Sequence, residues 1–428
     1  MTDNRQRSLF PGIFYGWWIV GASFVIALLA GGVVLYGFTA IFEPISVEQN
    51  WSYTQVSIAA SIRSVEAGLL APLSGWLVDR LGPRRMIFAG ALFIAAGLFV
   101  ISYCSSLAMF YGGFVLIAIG SDCTGSTVLI TAVTHWFKKR LGLAGGLTVA
   151  GFGFGGLLVP FMTMLIDSLG WRTAIFVLAI VVLVLMVPLS LLFRHKPEQY
   201  GLLPDGTPAQ TAETSRSRPI ETQPEVSFTF KRALKTPTFW ILAVVFMFHN
   251  IALQAVVTHS MPYSTSIGIQ RATASIIAMM IPLTSILARV LFGWLGDRMP
   301  KRWLVIVGFA LMCAGLLSLA FMSSVGFWLV VPFLIFFGFG YGGNIGVRPS
   351  FAREIFGRSN FGAIFGTIIG ICSVGGMLGP ILGGMAFDNW NSYVGLWLIL
   401  AILPVISVIA LLVARPGRAK VPVAAKAA

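Results

Sequence analysis

The sequence predicts an all-α membrane protein of twelve transmembrane helices, arranged as two pseudo-symmetric six-helix bundles. Three observations carry this. The 428 residues are 57% hydrophobic and only 10% charged, against about 25% charged in a soluble chain. That little polar surface cannot cover a water-soluble globule, so the solvent is lipid. Twelve apolar segments reach the roughly 20 residues that a helix needs to cross a bilayer at about 1.5 Å per residue. A loop motif recurs once in each half of the chain. Strands of alternating polarity, the mark of a transmembrane barrel, are absent from the sequence.

The spans are expected near 15–43, 53–77, 86–104, 108–135, 142–166 and 172–193, then 237–264, 272–296, 302–323, 326–351, 359–386 and 391–414. The first, "IFYGWWIVGASFVIALLAGGVVLYGF", is too long for a cleaved signal and lacks a small-residue cleavage site. Between spans 6 and 7, residues 194–236 are rich in Pro, Thr, Glu and Ser. They read as a polar linker with a short amphipathic helix at "FTFKRALK". The domain plan is therefore 1–193, an N-terminal bundle; 194–236, a cytoplasmic linker; and 237–428, a C-terminal bundle with a short cytoplasmic tail.

Lysine and arginine give the orientation. With an even number of spans both termini share a side. That side collects Arg80, Arg84, Arg85, Lys138, Lys139, Arg140, Arg194, Arg298, Lys301, Arg302 and Arg353, whereas the opposite loops carry only Arg172 and Arg271. The positive-inside rule makes the crowded side cytoplasmic. The net charge of +14 is thus a topology signal. Charge scattered over membrane-flanking loops does not form a nucleic-acid footprint. The four cysteines form no CxxC pair and the four histidines have no metal-ligand spacing, so neither a metal nor a cofactor is expected.

The repeated motif is "GWLVDRLGPRR" from Gly75 after span 2 and "GWLGDRMPKRW" from Gly293 after span 8. Gly75 and Gly293 keep the same spacing as Asp79 and Asp297. Parallel duplication of this kind puts a substrate pathway between the halves. The aspartates can accept helix-end amides and pair with loop arginines, which makes Asp79, Arg80, Arg84, Asp297 and Arg298 gating candidates.

With these loops in view, the chain resembles the major facilitator superfamily over nearly its whole length. Finer matches, "FYGWWIVGASF", "GLAGGLTVAGFGFGGLLVP" and "ARVLFGWLGDR", are similar to its monocarboxylate-porter and oxalate/formate-exchanger branch. That resemblance implies a secondary transporter working by alternating access. It also implies an arginine four residues before the span 8 glycine, the spacing of Arg289 and Gly293. Two departures matter. Where the exchangers carry a lysine in span 11, this chain has Ile368. Where animal monocarboxylate porters carry a lysine in span 1 and an aspartate in span 8, it has Gly37 and Ser285.

The buried polar residues supply the candidate site. Arg289 lies eight residues before Asp297, about 12 Å from the helix end. A guanidinium at that depth either holds a carboxylate through two parallel hydrogen bonds or pairs with an acid on another helix. Span 10, "GFGYGGNIGVRPSF", offers Tyr341 and Asn344 one turn apart, and Tyr36 of span 1 is their candidate counterpart. Asn250 of span 7 lines a cavity or binds a neighbouring helix, and His249 precedes it. Arg348 is expected to line the exit or to pair with Glu354. For proton coupling the candidates are Asp122, in "IGSDCTGS" of span 4, and His259. Asp122 has a structural alternative in Arg63, and His259 in a helix-end hydrogen bond.

The expected function is proton symport of a small organic anion, a monocarboxylate of lactate or pyruvate type, by a monomer in a bacterial inner membrane. The substrate, the proton and membrane lipid are its partners. Anion exchange, export of an amphipathic compound and a non-transporting ligand sensor are the alternatives. No nucleophile–base set appears, which speaks against an enzyme.

Overall fold

In the computed structural model, residues 14–137, 140–194, 229–357 and 360–413 are described. The linker expectation falls largely on residues 195–228, outside them, as do both chain ends. At the linker's far end, Phe230–Leu234 forms the expected short helix.

Among the described residues, twelve long helices follow one another. The first six are α1 Gly16–Gln49, α2 Tyr53–Leu81, α3 Pro83–Ser102, α4 Leu107–Trp136, α5 Leu141–Leu169 and α6 Trp171–Leu191. The second six are α7 Pro237–Ser266, α8 Arg271–Gly296, α9 Lys301–Val325, α10 Phe327–Phe356, α11 Phe361–Trp390 and α12 Val394–Val413. Eleven are long and apolar enough to cross a membrane. The remaining helix, α2, has 29 residues but carries Arg63, Glu66, Asp79 and Arg80 along its length.

The two halves share three helix pairings. Within the first, α3 packs on α4 and α6, and α1 on α5; within the second, α9 packs on α10 and α12, and α7 on α11. Lipid offers no hydrophobic drive for helix association, so close backbone approach supplies it. Gly90 and Gly120 meet across α3 and α4, and Gly340 of α10 lies against Gly308 of α9. A side chain at either place would collide with the facing backbone.

The chain divides into two compact units. One comprises Met1–Phe38 and Leu69–Pro219, the other Thr39–Gly68 and Ile220–Ala428. Both boundaries in the first half fall inside long helices, α1 and α2. In α1 the change comes just after a π-helical turn, Ala30–Tyr36, a form that recurs at functional sites. The second unit has an apolar core of Phe239, Phe246, Phe309, Val347, Phe351, Ile364 and Ile368. Ile368 is fully buried in it, so the position where exchangers carry a lysine is here part of the packing.

Candidate functional site

The polar cluster of the second unit is built on one face of α10. Tyr341, Asn344 and Arg348 stand at i, i+3 and i+7, a spacing that aligns side chains along a helix. All three are buried. The glycines between them let the neighbours close in. Gly342 lies against the backbone of Ser285 on α8, and Gly346 against that of Arg289.

From α8, Arg289 extends to Tyr341 and donates through Nη2 to its hydroxyl at 3.1 Å. The guanidinium carbon lies 5.6 Å from the Tyr341 ring centroid. Its Nε is buried and has no partner. Among the described residues, no carboxylate pairs with Arg289. The ion pair weighed as the alternative for this residue is therefore not what holds it among them.

On the other side of Tyr341, His249 of α7 sits with its ring 6.4 Å from the tyrosine ring. Arg348 donates to His249 Nδ1 at 3.2 Å and lies over the Phe246 ring at 4.7 Å. The expected pairing of Arg348 with Glu354 is not formed. Glu354 accepts from Lys301 Nζ at 2.9 Å, because α10 turns Arg348 inward and Glu354 toward the exposed end of α9. Asn344 packs over Gly308 of α9, and both its amide atoms lack partners. Asn250 is engaged, donating to the Cys372 carbonyl of α11 at 2.7 Å; this is the interhelical bond weighed beside a cavity role.

A second polar cluster lies at the opposite end of α7. His259 is fully buried, its Nδ1 3.0 Å from the Tyr393 hydroxyl and its Nε2 2.9 Å from the Pro380 carbonyl. Ser57 Oγ of α2 is 3.3 Å from the same nitrogen. Nearby, Asp388 of α11 accepts from the Tyr53 and Thr54 amides at 2.9 and 2.8 Å, capping α2. Glu43 accepts from Thr265 at 2.9 Å and lies 3.9 Å from Arg271. Sequence reading missed Asp388 and Glu43. The available signal was that the first turn of α2 has amides to satisfy and carries no acidic residue.

In the first unit, Tyr36 closes the π-helical turn and is buried. Asp122 is half-buried at the end of the first segment of α4, which breaks at Thr124, and is hydrogen-bonded by the Ser74 side chain. Asp79, Arg80 and Arg84 are exposed at the junction of α2 and α3. Asp297 and Arg298 occupy the matching place after α8. Arg80 stacks on Trp76 at 4.3 Å and Arg298 on Trp294 at 3.7 Å, so the repeat extends to the side chains.

A helical chain with this repeat matches the Major Facilitator Superfamily model over residues 20–281 and again over 256–428. The chain belongs to the major facilitator superfamily. Among relatives in that family, it is 26% identical to human monocarboxylate transporter 12, over 92% of this chain and 80% of that protein. It is 24% identical to the oxalate:formate antiporter of Oxalobacter formigenes, over 91% of this chain and 90% of that protein. A crystal structure of the nucleoside transporter NupG shares the fold, with a TM-score of 0.72 at 14% identity, covering 93% of this chain and 99% of that one. This superfamily member is thus an integral membrane transporter of a small molecule, related to monocarboxylate transporters and to an oxalate:formate antiporter.

Proposed function

We propose that the chain carries small organic carboxylates, with a monocarboxylate of lactate or pyruvate size as the main substrate and a proton as the co-transported ion. The single observation behind this is Arg289. Its guanidinium is held by Tyr341 and has no acidic partner among the described residues. A charge kept in hydrocarbon without a counter-charge is costly. The carboxylate of the substrate is the group that offsets it, and the planar fork matches that shape. The names of the relatives agree with this substrate class.

The halves 1–193 and 237–428, joined by the 194–236 linker, would alternate access, with Asp79, Arg80, Arg84, Asp297 and Arg298 as the gate. By the positive-inside rule both termini are cytoplasmic, in a bacterial inner membrane. Asp122 is the preferred proton carrier. His259 already uses both ring nitrogens and would have to give up a bond to take a proton.

Uptake into proteoliposomes tests the reading. Wild type should accumulate lactate or pyruvate when a pH gradient is imposed. Asp122→Asn should lose that accumulation but keep counterflow. Counterflow without gradient-driven uptake in the wild type would make the protein an exchanger. Equal accumulation by Asp122→Asn would remove Asp122 from proton transfer.

A further inference from the structure

We propose that Arg348 and His249 form a second carboxylate subsite beside Arg289, so that the protein also binds two carboxylate groups at once. This rests on the reading that Arg289 holds a carboxylate, and it adds a class of ligand to it. A guanidinium has five N–H donors and no acceptor. Arg348 is nine-tenths buried, and its one polar side-chain partner among the described residues is a neutral acceptor, His249 Nδ1. A ring nitrogen that accepts carries no proton, so in a neutral His249 the hydrogen is assigned to Nε2. That Nε2 is buried and makes no hydrogen bond of good geometry, with only a weak contact to the Tyr341 backbone, and Arg348 Nε has no partner. One turn along α10, the Asn344 amide nitrogen is also unpartnered and fully buried.

Unpartnered donors thus outnumber unpartnered acceptors in the cluster: Arg348 Nε, His249 Nε2 and Asn344 Nδ2 stand against Asn344 Oδ1 alone. Its surroundings do not make up the deficit. Phe246 under Arg348 and Phe309 beside His249 put apolar surface against it. Glu354, the acid on the same helix, is engaged by Lys301. Unpaired buried donors and an unpaired buried charge both call for an anionic acceptor. Two oxygens in a plane fit the guanidinium fork best.

Arg289 and Arg348 are also linked through the residues between them. Tyr341 takes a hydrogen bond from Arg289, and its ring is next to that of His249, which takes one from Arg348. A ligand on Arg289 therefore lies next to the second subsite. The second group is either the other carboxylate of a short dicarboxylate or a second monocarboxylate molecule. The chemistry at Arg348 is the same in both.

The test is thermal stabilisation of the purified full-length protein, which follows ligand occupancy. Lactate, malonate and succinate would be titrated against wild type, Arg348→Gln, Arg348→Lys and Arg289→Gln. If one dicarboxylate bridges the subsites, wild type should bind malonate or succinate at least tenfold tighter than lactate. Arg348→Gln should then erase most of that difference. If two monocarboxylates bind, lactate should stabilise wild type in two phases, and the weaker phase should vanish in Arg348→Gln. Should Arg348→Gln not fold, Arg348→Lys decides on the same readout, since it keeps the charge and loses the fork. Wild-type affinities for all three acids in a folded Arg348 variant would overturn the subsite. So would equal losses for one and two carboxylates. Failure of the Arg289 reading looks different: Arg289→Gln would bind lactate as wild type does, while the Arg348 variants would still discriminate. No stabilisation of wild type by any of the acids would overturn both.

Discussion

Two histidines on the same helix, ten residues apart in α7, have opposite surroundings. Both are fully buried. At His259 every polar atom is matched: Nε2–H to the Pro380 carbonyl, Nδ1 from the Tyr393 hydroxyl, with Gly383 leaving room for the ring. The acids around it are matched too, Asp388 by two amides and Glu43 by Thr265 and Arg271. At His249 one nitrogen is used and the other makes no hydrogen bond of good geometry, and among the described residues Arg289 and Arg348 have no acid partner. Buried polar groups in folded proteins are nearly always satisfied. A cluster with every bond made holds helices together. One that lacks acceptors is completed by a ligand that brings them.

Mutations can break this contrast. The largest effect is expected from Arg289→Gln. Losing a charge-assisted contact of about 1.5–3 kcal/mol predicts a tenfold or greater loss of carboxylate binding. The apo protein should melt no lower than wild type, because an uncompensated charge has been removed. A large drop in apo melting temperature would instead show that the arginine is structural.

His259→Ala should behave in the reverse way. It strands the Tyr393 hydroxyl and the Pro380 carbonyl and leaves a cavity, at a cost of about 2–4 kcal/mol in stability. Differential scanning fluorimetry of the unliganded protein would read this out. Unchanged melting would mean that the matched cluster contributes little.

A smaller effect is expected at Asp388. Asp388→Ala removes both caps from the α2 amides, worth about 1–2 kcal/mol. Its melting temperature should fall by less than that of His259→Ala. The smallest belongs to Lys301→Ala. The Lys301–Glu354 pair is partly exposed, and such pairs contribute under about 1 kcal/mol. Melting and transport should both stay within error of wild type, and a clear change in either would show that this pair takes part in gating.

Much of the fold could be read from the chain. A 20-residue apolar run such as Val394–Val413 has one low-energy answer in lipid, since only a helix satisfies its own backbone. The twinned "GWLVDR" and "GWLGDR" loops sit at matching helix ends. Arg289 stood out because an arginine in a greasy helix is expensive wherever that helix packs. Arg348 did not, because eight residues from the end of α10 it was close enough to water to be read as an exit residue. Whether it faced Glu354 or His249 depends on the rotation of α10 against α7, which no local pattern encodes.

The sequence by itself determined how many helices form, which ends carry the positive charge and where the duplicated loops lie. These follow from hydropathy and charge, which act residue by residue along the chain. Only the tertiary structure decided which buried polar groups are matched. His249 and His259 lie in similar apolar runs, and nothing local separates them. What separates them is contributed by distant segments: Pro380 and Tyr393 reach one, Arg348 reaches the other. A hydrogen bond is a relation between two partners within about 3 Å, and in a helical bundle those partners are brought together only by packing.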